Sequence, residues 1–309
     1  MKELHPHWHA LLQAERHAHE AKWLRVLRLP FWYPVSMLYQ YALYPLTKRE
    51  WRKKVKTFFG IPITTALPTG TDILLNGIKS HDSEIRLSKF LTRHLRPGQT
   101  FIDIGAHHGY YSLLAASLVG KEGKVLAVEA SRHSFDLLEF NTTAHPEINI
   151  FHNAAGNERG EIVFYEYPGP YAEYNTTVKG AYEHAAWRKK IKETITRVET
   201  VLLDDLLREN GIRNAIIKID VEGGEYAVLK GMSQSLQTGD FILILEYLFS
   251  PDKNNFHHQA VSYLNQNGYS AYRITSEGIP ERVDDIDEYL KSQNLDSDNL
   301  VFLYLPPTD

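Results

Sequence analysis

An α/β fold, with a mostly parallel sheet and helices on both faces, is predicted from residue 71 or so to the end of the chain. Strand and helix candidates alternate there, which is typical of parallel strands joined by helical crossovers. Two of these strands run directly into glycine-containing turns that begin helices, at residues 101–109 and 216–225. Because ligands of such folds bind beyond the carboxyl ends of the strands, these two turns predict where the functional site lies.

The predicted elements follow one another at short intervals. A strand at 72–75 and an amphipathic helix at 83–95, ended by Arg96-Pro97-Gly98, precede the sheet. A polar, tyrosine-rich segment at 160–191, followed by a strand at 197–201, interrupts the alternation. The alternating strands are predicted at 100–104, 124–129, 148–152, 215–220, 241–247, 269–274 and 300–305, and the helices at 113–119, 134–141, 202–209, 225–232 and 259–267.

The pattern divides the chain into a helical extension rich in aromatic and basic residues, 1–70, and a main domain, 71–309. A substrate-side insertion around 160–196 belongs to the main domain. Within the extension, residues 29–47 carry no formal charge and include six aromatic residues, and basic clusters flank them. Three prolines argue against a spanning helix. Two interpretations stay open: peripheral membrane contact through residues 22–56, or a helical arm packed on the main domain or on a partner subunit.

Composition excludes several classes of function. The chain has a net charge of −4, so we expect no nucleic-acid partner, and it has no cysteine, which excludes disulfides and thiolate chemistry. Five histidines between His5 and His19 lack an accompanying carboxylate or cysteine framework and are interpreted as solvated residues. Residues 1–22 show no signal-peptide pattern, so we expect a cytoplasmic protein that is membrane-peripheral if the extension contacts lipid. A homo-oligomer stays open.

The first motif predicts a cofactor site. Residues 101–109, FIDIGAHHG, form an apolar strand, an acidic residue and a glycine turn, and the next strand ends in Glu129. A nicotinamide site also pairs such a turn with a downstream carboxylate, but the dinucleotide fingerprint requires Gly-x-Gly, and His107 stands at the second glycine position. Asp103 suits a ligand with an ammonium group, such as an aminocarboxyl tail. Gly105 and Gly109 permit close approach of the backbone.

The second motif places three carboxylates beyond another strand. Residues 216–231 read IIKIDVEGGEYAVLKG, again a strand, a glycine turn and a helix. Asp220 and Glu222 would lie on one side if the chain stays extended there, whereas Glu225 falls in the first helical turn. Crowded carboxylates raise one another's pKa, so the motif predicts an acid, a base or a metal site.

At this point the sequence resembles the FkbM family of S-adenosylmethionine-dependent methyltransferases. The resemblance rests on FIDIGAHHGYYS and IKIDVEGGEYAVLKGM, with support at 128–130, 153–155 and 200–206. It implies a Rossmann-like class I fold, a seven-stranded sheet with an antiparallel final strand, and O-methylation of a sugar, glycan or related natural-product hydroxyl. It also implies that Asp220 lies beside the methyl group. By the same resemblance, Asp103, Gly105, Ala106, His107 and Gly109 hold the methionine part of the cofactor, Glu129 the ribose, and Asn153 and Ala154 the adenine; the family usually has asparagine at the position of His107.

Several groups are candidates for the chemistry of methyl transfer to a hydroxyl. The acceptor proton needs a base, for which Asp220, His108 and Glu222 are candidates, with Asp220 first because it ends the strand beside the first motif. An alternative is Mg²⁺ held by Asp220, Glu222 and Glu246, although no metal site is predicted. We expect Glu225 and Tyr174 to contact the acceptor sugar. Two interpretations of the insertion aromatics stay open, stacking on the sugar or packing in the core; these residues are Tyr165, Tyr167, Tyr171, Tyr174 and Trp187.

Two rival functions remain. An NAD(P)-dependent oxidoreductase or epimerase would use a Tyr-x-x-x-Lys pair, whose letters Tyr226 and Lys230 fit, but the missing Gly-x-Gly disfavours it. A non-catalytic scaffold that keeps the cofactor pocket is the second rival. The presence of Asp103, Glu129 and Asp220 disfavours this rival, because a scaffold would not need to keep these carboxylates.

Overall fold

The extension is helical only in its first part. The computed structural model describes residues 5–183, 185–238, 240–250, 252 and 255–305. Its first helices are α1 (His7–Ala18), α2 (Lys22–Arg28), α3 (Trp32–Leu38), a π-helical turn (Tyr39–Leu43) and α4 (Tyr44–Thr47). An antiparallel pair that sequence patterning did not predict follows, β1 (Trp51–Lys56) with β2 (Pro62–Leu67). In the described part of the chain, every helix is too short or too polar to cross a bilayer.

Two helices connect the extension to the main sheet, α5 (Thr71–Asn76) and α6 (Asp82–His94). The predicted strand at 72–75 is wrong, because a short apolar run does not distinguish strand from helix by its periodicity. The Asp72 carboxylate accepts hydrogen bonds from the amides of Ile73 and Ser80, and Gly77 ends the helix at a φ of 70°. Helix α6 is as predicted, with acidic residues in its first turn and basic residues in its last.

The main sheet confirms the predicted α/β fold and has eight strands. Seven have the order β5-β4-β3-β9-β10-β13-β11, and only β13 is antiparallel to its neighbours within the run from β5 to β13. The eighth, β12, is a three-residue edge strand that sequence patterning missed. The strands are β3 (Thr100–Ile104), β4 (Lys124–Val128), β5 (Ile148–Phe151), β9 (Ala215–Ile219), β10 (Phe241–Leu248), β11 (Tyr269–Ile274), β12 (Pro280–Arg282) and β13 (Ser297–Tyr304).

Helices cover both faces of this sheet, as predicted. The strands alternate between two cores: Phe101 and Val125 face one, whereas Ile102 and Leu126 face the other. Helix α1 joins the first core through Leu11 and its neighbours on the same face. The remaining helices are α7 (Tyr110–Val119), α8 (Arg132–Thr142), α9 (Leu203–Glu209), α10 (Glu225–Lys230), α11 (Ser233–Leu236), α12 (Phe256–Gln266) and α13 (Ile286–Gln293).

A small second sheet lies where the alternation was interrupted. It has the order β6-β8-β7, from β6 (Ala154–Gly156), β7 (Gly160–Glu166) and β8 (Thr194–Leu202). Two short 3₁₀ helices, Gly169–Tyr174 and Ala186–Lys189, lie between β7 and β8. Strand β7 therefore forms the start of the polar segment at 160–191, and β8 contains the strand predicted at 197–201.

Candidate active site

A cavity of about 480 Å³ opens beyond the carboxyl ends of β3, β4, β9 and β10. This is the volume of an ordinary small-molecule site. Its wall includes Asp103, Glu129 and Asp220 from the ends of the strands. Thr65 of β2 and Tyr174 of the segment between β7 and β8 also line it. The cavity therefore lies where the sequence placed it, but the extension and the insertion contribute to its wall.

The turn after β3 brings the backbones of β3 and β9 together. Gly105 has a φ of 82°, and a Cβ atom there would lie 1.8 Å from the carbonyl oxygen of Asp220. The amides of Gly105 and Ala106 both donate to the carbonyl oxygen of Val128, at 2.9 and 3.0 Å. Only glycine fits this position, because both the φ angle and the neighbouring backbone exclude a side chain.

Glu129 is held by two backbone amides at the end of β4. The amide of His107 donates to Oε2 at 2.7 Å and the amide of Ser131 donates to Oε1 at 2.8 Å. Burial raises the pKa of Glu129 to about 7, against the effect of these hydrogen bonds. Each carboxylate oxygen keeps a second acceptor position, so the group is oriented and still able to bind two hydroxyls.

Lys218 links the two motifs inside the sheet. It pairs in register with Asp103 across β3 and β9, and its ammonium lies 2.8 Å from Asp220 Oδ2 and 4.0 Å from Asp103 Oδ1. Asp103 is buried and accepts a hydrogen bond from Ser112 at Oδ2, whereas its Oδ1 has no hydrogen-bond partner among the described residues. Since Oδ1 accepts no hydrogen bond, the Asp103 carboxylate at the cavity wall keeps an acceptor position that suits a ligand ammonium group.

The charges around Asp220 give it a lower pKa than the carboxyl groups of Glu222 and Glu246 nearby. Burial would raise the pKa of Asp220, but the ammonium groups of Lys218 and Lys79 outweigh it and hold that pKa below its ordinary value. Burial, followed by the charge of Asp220, raises the pKa of Glu222 well above its ordinary value and that of Glu246 to about 8. At neutral pH Asp220 is therefore the ionised member.

The three carboxylates Asp220, Glu222 and Glu246 lie close enough to share a cation. One oxygen from each falls within 4.8 Å of the others. The chain is not extended here, because Glu222 has a φ of 53°, so its proximity to Asp220 comes from a turn and not from strand alternation. The Tyr182 hydroxyl donates to Glu222, and the Ser297 hydroxyl donates to Glu246 at 3.0 Å.

His107 and His108 stack on each other, with ring centroids 3.7 Å apart. Burial lowers the pKa of His107 to about 3 and that of His108 well below its ordinary value. Both rings are thus neutral at pH 7. Both line the cavity, and His107 Nε2 is buried with no hydrogen-bond partner within the described ranges. His108 therefore stays a candidate base beside Asp220, since both groups are deprotonated at neutral pH and the pKa of each is lowered.

Some of the remaining predicted residues line the cavity and others do not. Asn153, Ala154 and Tyr174 line the cavity. Gly109 and Glu225 are outside the cavity lining: Gly109 begins α7 at a φ of 87°, and Glu225 Oε1 accepts from the amides of Val221 and Gly223 within its own turn. The structure therefore gives Glu225 a capping position and no direct access to an acceptor.

The aromatic residues of the insertion form one cluster beside the cavity. Trp187 stacks on Tyr171 and Tyr174, with ring centroids 4.8 and 5.2 Å away. Tyr167 packs edge-on against Trp187 at 5.1 Å, and Tyr182 packs at a tilt at 5.8 Å. Of these five residues, Tyr174 is the one that reaches the cavity wall. The cluster fixes the orientation of Tyr174 through packing.

Sequence patterning missed two lysines of this site. Lys218 carried a usable signal, since it is a lysine inside an otherwise apolar buried strand. Lys79, in the loop after α5, carried none. Its ammonium lies 3.4 Å from Glu84 and over the Tyr111 ring at 5.5 Å, and it lines the cavity. The opposing carboxylates, Glu84 first, outweigh the effect of burial and raise the pKa of Lys79.

Comparison with known proteins identifies the family of the domain that contains this cavity. Residues 103–271 match the methyltransferase FkbM domain. The chain is 26% identical to the hexuronic acid methyltransferase AglP of Haloferax volcanii over 144 aligned residues. The alignment covers 46% of this chain and 53% of AglP. The chain thus spans about half the length of this curated relative.

Solved structures of methyltransferases are similar to this chain at low sequence identity and low TM-score. An S-adenosylmethionine-dependent O-methyltransferase from Thermotoga maritima covers 86% of this chain and 83% of its own, with 13% identity and a TM-score of 0.40. The FkbM methyltransferase from Methylobacillus flagellatus covers 77% and 55%, with 14% identity and a TM-score of 0.39.

Proposed function

The chain belongs to the FkbM methyltransferase family, whose methyl donor is S-adenosylmethionine, and we propose that it methylates a hydroxyl oxygen of a sugar. The observation that carries this proposal is the ionised Asp220, paired with Lys218 and placed at the cavity wall beside the Gly105 turn. A hydroxyl is a poor nucleophile while protonated, so a carboxylate that stays ionised at neutral pH suits the transfer.

The described residues fit the cofactor at both ends. The unpartnered Oδ1 of Asp103 suits the ammonium of the methionine part, and Glu129 suits the two ribose hydroxyls. Asn153 and Ala154 line the part of the cavity assigned to the adenine, although the Asn153 amide also donates to the Glu199 carbonyl oxygen at 3.3 Å. When bound, the cofactor supplies an electrophilic methyl group on a sulfonium.

The protein's own part in the reaction is alignment and proton transfer. The cavity residues would hold the acceptor oxygen in line with the carbon–sulfur bond of the bound cofactor, which would supply the methyl group and keep the electron pair of that bond. The acceptor proton passes to Asp220. Glu222 and Glu246, whose pKa values are raised by burial, offer hydrogen bonds to neighbouring hydroxyls, while Tyr174 offers an aromatic face to the sugar ring.

Because the relative AglP is named a hexuronic acid methyltransferase, uronic acids are the first acceptors to test. We expect S-adenosylhomocysteine to form when the protein is incubated with S-adenosylmethionine and one member of a panel of hexuronic acids and neutral hexoses. Asp220→Asn should reduce kcat by about 10²–10⁴-fold, the usual contribution of a positioned base, while leaving cofactor affinity within a few-fold. Unchanged kcat in this variant would remove Asp220 from the chemistry.

The metal alternative has a separate test. If Asp220, Glu222 and Glu246 hold Mg²⁺, EDTA should abolish turnover and Mg²⁺ should restore it, because the ion would orient the acceptor and lower the pKa of its hydroxyl. Turnover that is insensitive to EDTA leaves the cluster as a proton-transfer and hydrogen-bonding site. Glu246→Gln is the matched variant, since it removes one metal ligand and leaves the proposed base.

The two rival functions predict different ligands. Tyr226 and Lys230, which fit an oxidoreductase pair, lie outside the cavity lining, with Lys230 over the Tyr226 ring at 5.5 Å. Calorimetric titration should therefore show tight binding of S-adenosylhomocysteine, lost in Glu129→Ala, and no binding of NADH. Cofactor binding without turnover on any sugar acceptor would favour the scaffold.

A further inference from the structure

Helices α2 to α4 expose an unusual amount of apolar surface. Nine of the thirteen large hydrophobic side chains that are exposed among the described residues lie between residues 23 and 46, in what we call the arm surface. Leu46 is 82% exposed, Tyr41 73% and Leu27 70%. Its exposed large apolar residues are Trp23, Leu24, Val26, Leu27, Phe31, Leu38, Tyr41, Leu43 and Leu46.

The helical run from Trp32 to Thr47 exposes apolar side chains and buries a polar one. Ser36 is buried against the protein, whereas Leu38 and Tyr41 face outward. The exposed positions Pro34, Leu38, Tyr41 and Pro45 recur every three or four residues, so they share one helical face. An ordinary surface helix turns its apolar face to the core, and contiguous apolar surface on the outside marks an interaction site.

Charge identifies what covers this surface. Residues 22–56 hold nine lysine or arginine residues and one glutamate, in a chain whose net charge is −4. Lys22, Lys48, Arg49 and Lys54 are exposed, next to the apolar face in sequence. Two copies of the chain that met through this surface would bring two cationic segments together, which disfavours a symmetric dimer. An anionic lipid surface satisfies both the apolar side chains and the cations.

We propose that the arm surface docks on an anionic phospholipid bilayer as a monotopic anchor. Leucine and aromatic side chains enter the headgroup region, and the flanking lysines and arginines contact lipid phosphates. The arm packs on the main domain: the Tyr44 hydroxyl lies so close to Gly169 that a Cβ there would lie 1.5 Å away, and Glu50 pairs with His133 at 2.9 Å. Docking is independent of the proposed methyl transfer.

Co-sedimentation of the 309-residue chain with phosphatidylcholine vesicles, with or without roughly a third of phosphatidylglycerol, tests the proposal. We expect binding to the anionic vesicles and its loss at high salt, because the cationic contribution is screened. Leu27→Ser/Tyr41→Ser/Leu46→Ser should weaken binding about tenfold or more. Lys48→Gln/Lys54→Gln should weaken it by up to about fivefold for each charge removed.

A matched control separates the arm from apolar exposure in general. Phe140 and Ile195 are 65% and 62% exposed outside the arm, so Phe140→Ser/Ile195→Ser should leave vesicle binding unchanged. The substituted side chains in both variants are exposed, and unchanged circular dichroism checks their folding. The proposal is overturned if the native protein does not bind anionic vesicles. It is also overturned if light scattering shows that the native protein is a dimer that does not bind vesicles, and that the triple arm substitution makes it monomeric.

Discussion

Gly105 and Gly98 have nearly the same φ angle and very different surroundings. Their φ angles are 82° and 81°. A Cβ on Gly105 would meet the Asp220 carbonyl oxygen, whereas a Cβ on Gly98 would meet no atom within 4 Å. The pair therefore separates the cost of a left-handed backbone from the cost of a steric contact.

Gly105→Ala should lower the free energy of unfolding by about 3 kcal/mol or more and abolish binding of S-adenosylhomocysteine, because the ends of β3 and β9 must move apart. Gly98→Ala should cost about 1–2 kcal/mol, the strain of a left-handed alanine, and leave binding intact. Urea denaturation and calorimetry measure both quantities. Equal losses in the two variants would mean that the close contact at Gly105 is not what requires glycine.

Glu129 gives cofactor binding a predicted pH dependence. Its pKa of about 7 means that the carboxylate is mostly protonated at pH 6 and mostly ionised at pH 8. The ionised form accepts from both ribose hydroxyls, so affinity for S-adenosylhomocysteine should rise about tenfold between these pH values, as linkage to one proton requires. In Glu129→Gln the affinity should be weaker and nearly independent of pH; a native profile that is already flat would contradict the assignment.

At the scale of an element, β9 is an apolar strand that carries one buried cation. Lys218 is 2% exposed, and Asp103 and Asp220 lie on either side of its ammonium. Burial would lower the pKa of Lys218, but these two carboxylates outweigh it and raise that pKa. The strand thus holds the two motifs in one charge network.

Lys218→Met should destabilise the protein by about 3–5 kcal/mol, because it leaves buried carboxylates without their cation. Lys218→Met/Asp220→Asn should recover part of that loss, since the more ionised partner is then neutral. A double-mutant cycle measured by urea denaturation gives the coupling energy, which we expect to exceed about 1 kcal/mol. Additive effects of the two substitutions would show that the pair is not coupled.

Across the whole molecule, buried carboxyl groups set how stability changes with pH. Burial raises the pKa of Glu129 and of Glu225 to about 7 and that of Glu246 to about 8. The folded chain therefore binds more protons than the unfolded chain above the ordinary glutamate pKa. By linkage, these groups make stability fall as pH rises, until each folded-state pKa has been passed.

Glu225→Gln isolates this effect, because glutamine keeps the oxygen that accepts from Val221 and Gly223 and the other oxygen has no hydrogen-bond partner within the described residues. The variant should be about 1–3 kcal/mol more stable than the native protein at pH 8, where Glu225 is ionised in both states. The difference should nearly vanish at pH 4, where the group is largely protonated in both. Equal stability at pH 8 would place the folded-state pKa near its ordinary value.

The strands and helices that carry the site were predictable, because their signals are local. An apolar strand followed by glycine marks β3 and β9, and acidic and basic ends mark α6. The strand predicted at 72–75 was wrong, because a short apolar run has no periodicity that distinguishes a strand from a helix. Neither β1 and β2 nor the edge strand β12 were found.

The sequence by itself determined the α/β alternation, both glycine turns, and the strand ends at which Asp103, Glu129 and Asp220 lie. Tertiary structure decided which charges meet there: it brought Lys79 to the cavity, added Glu246 to the carboxylates of the second motif, and buried Glu225 within its turn. The physical reason is that glycine turns and periodicity act over a few residues. A pKa, by contrast, depends on burial and on charges delivered by segments far apart in the chain.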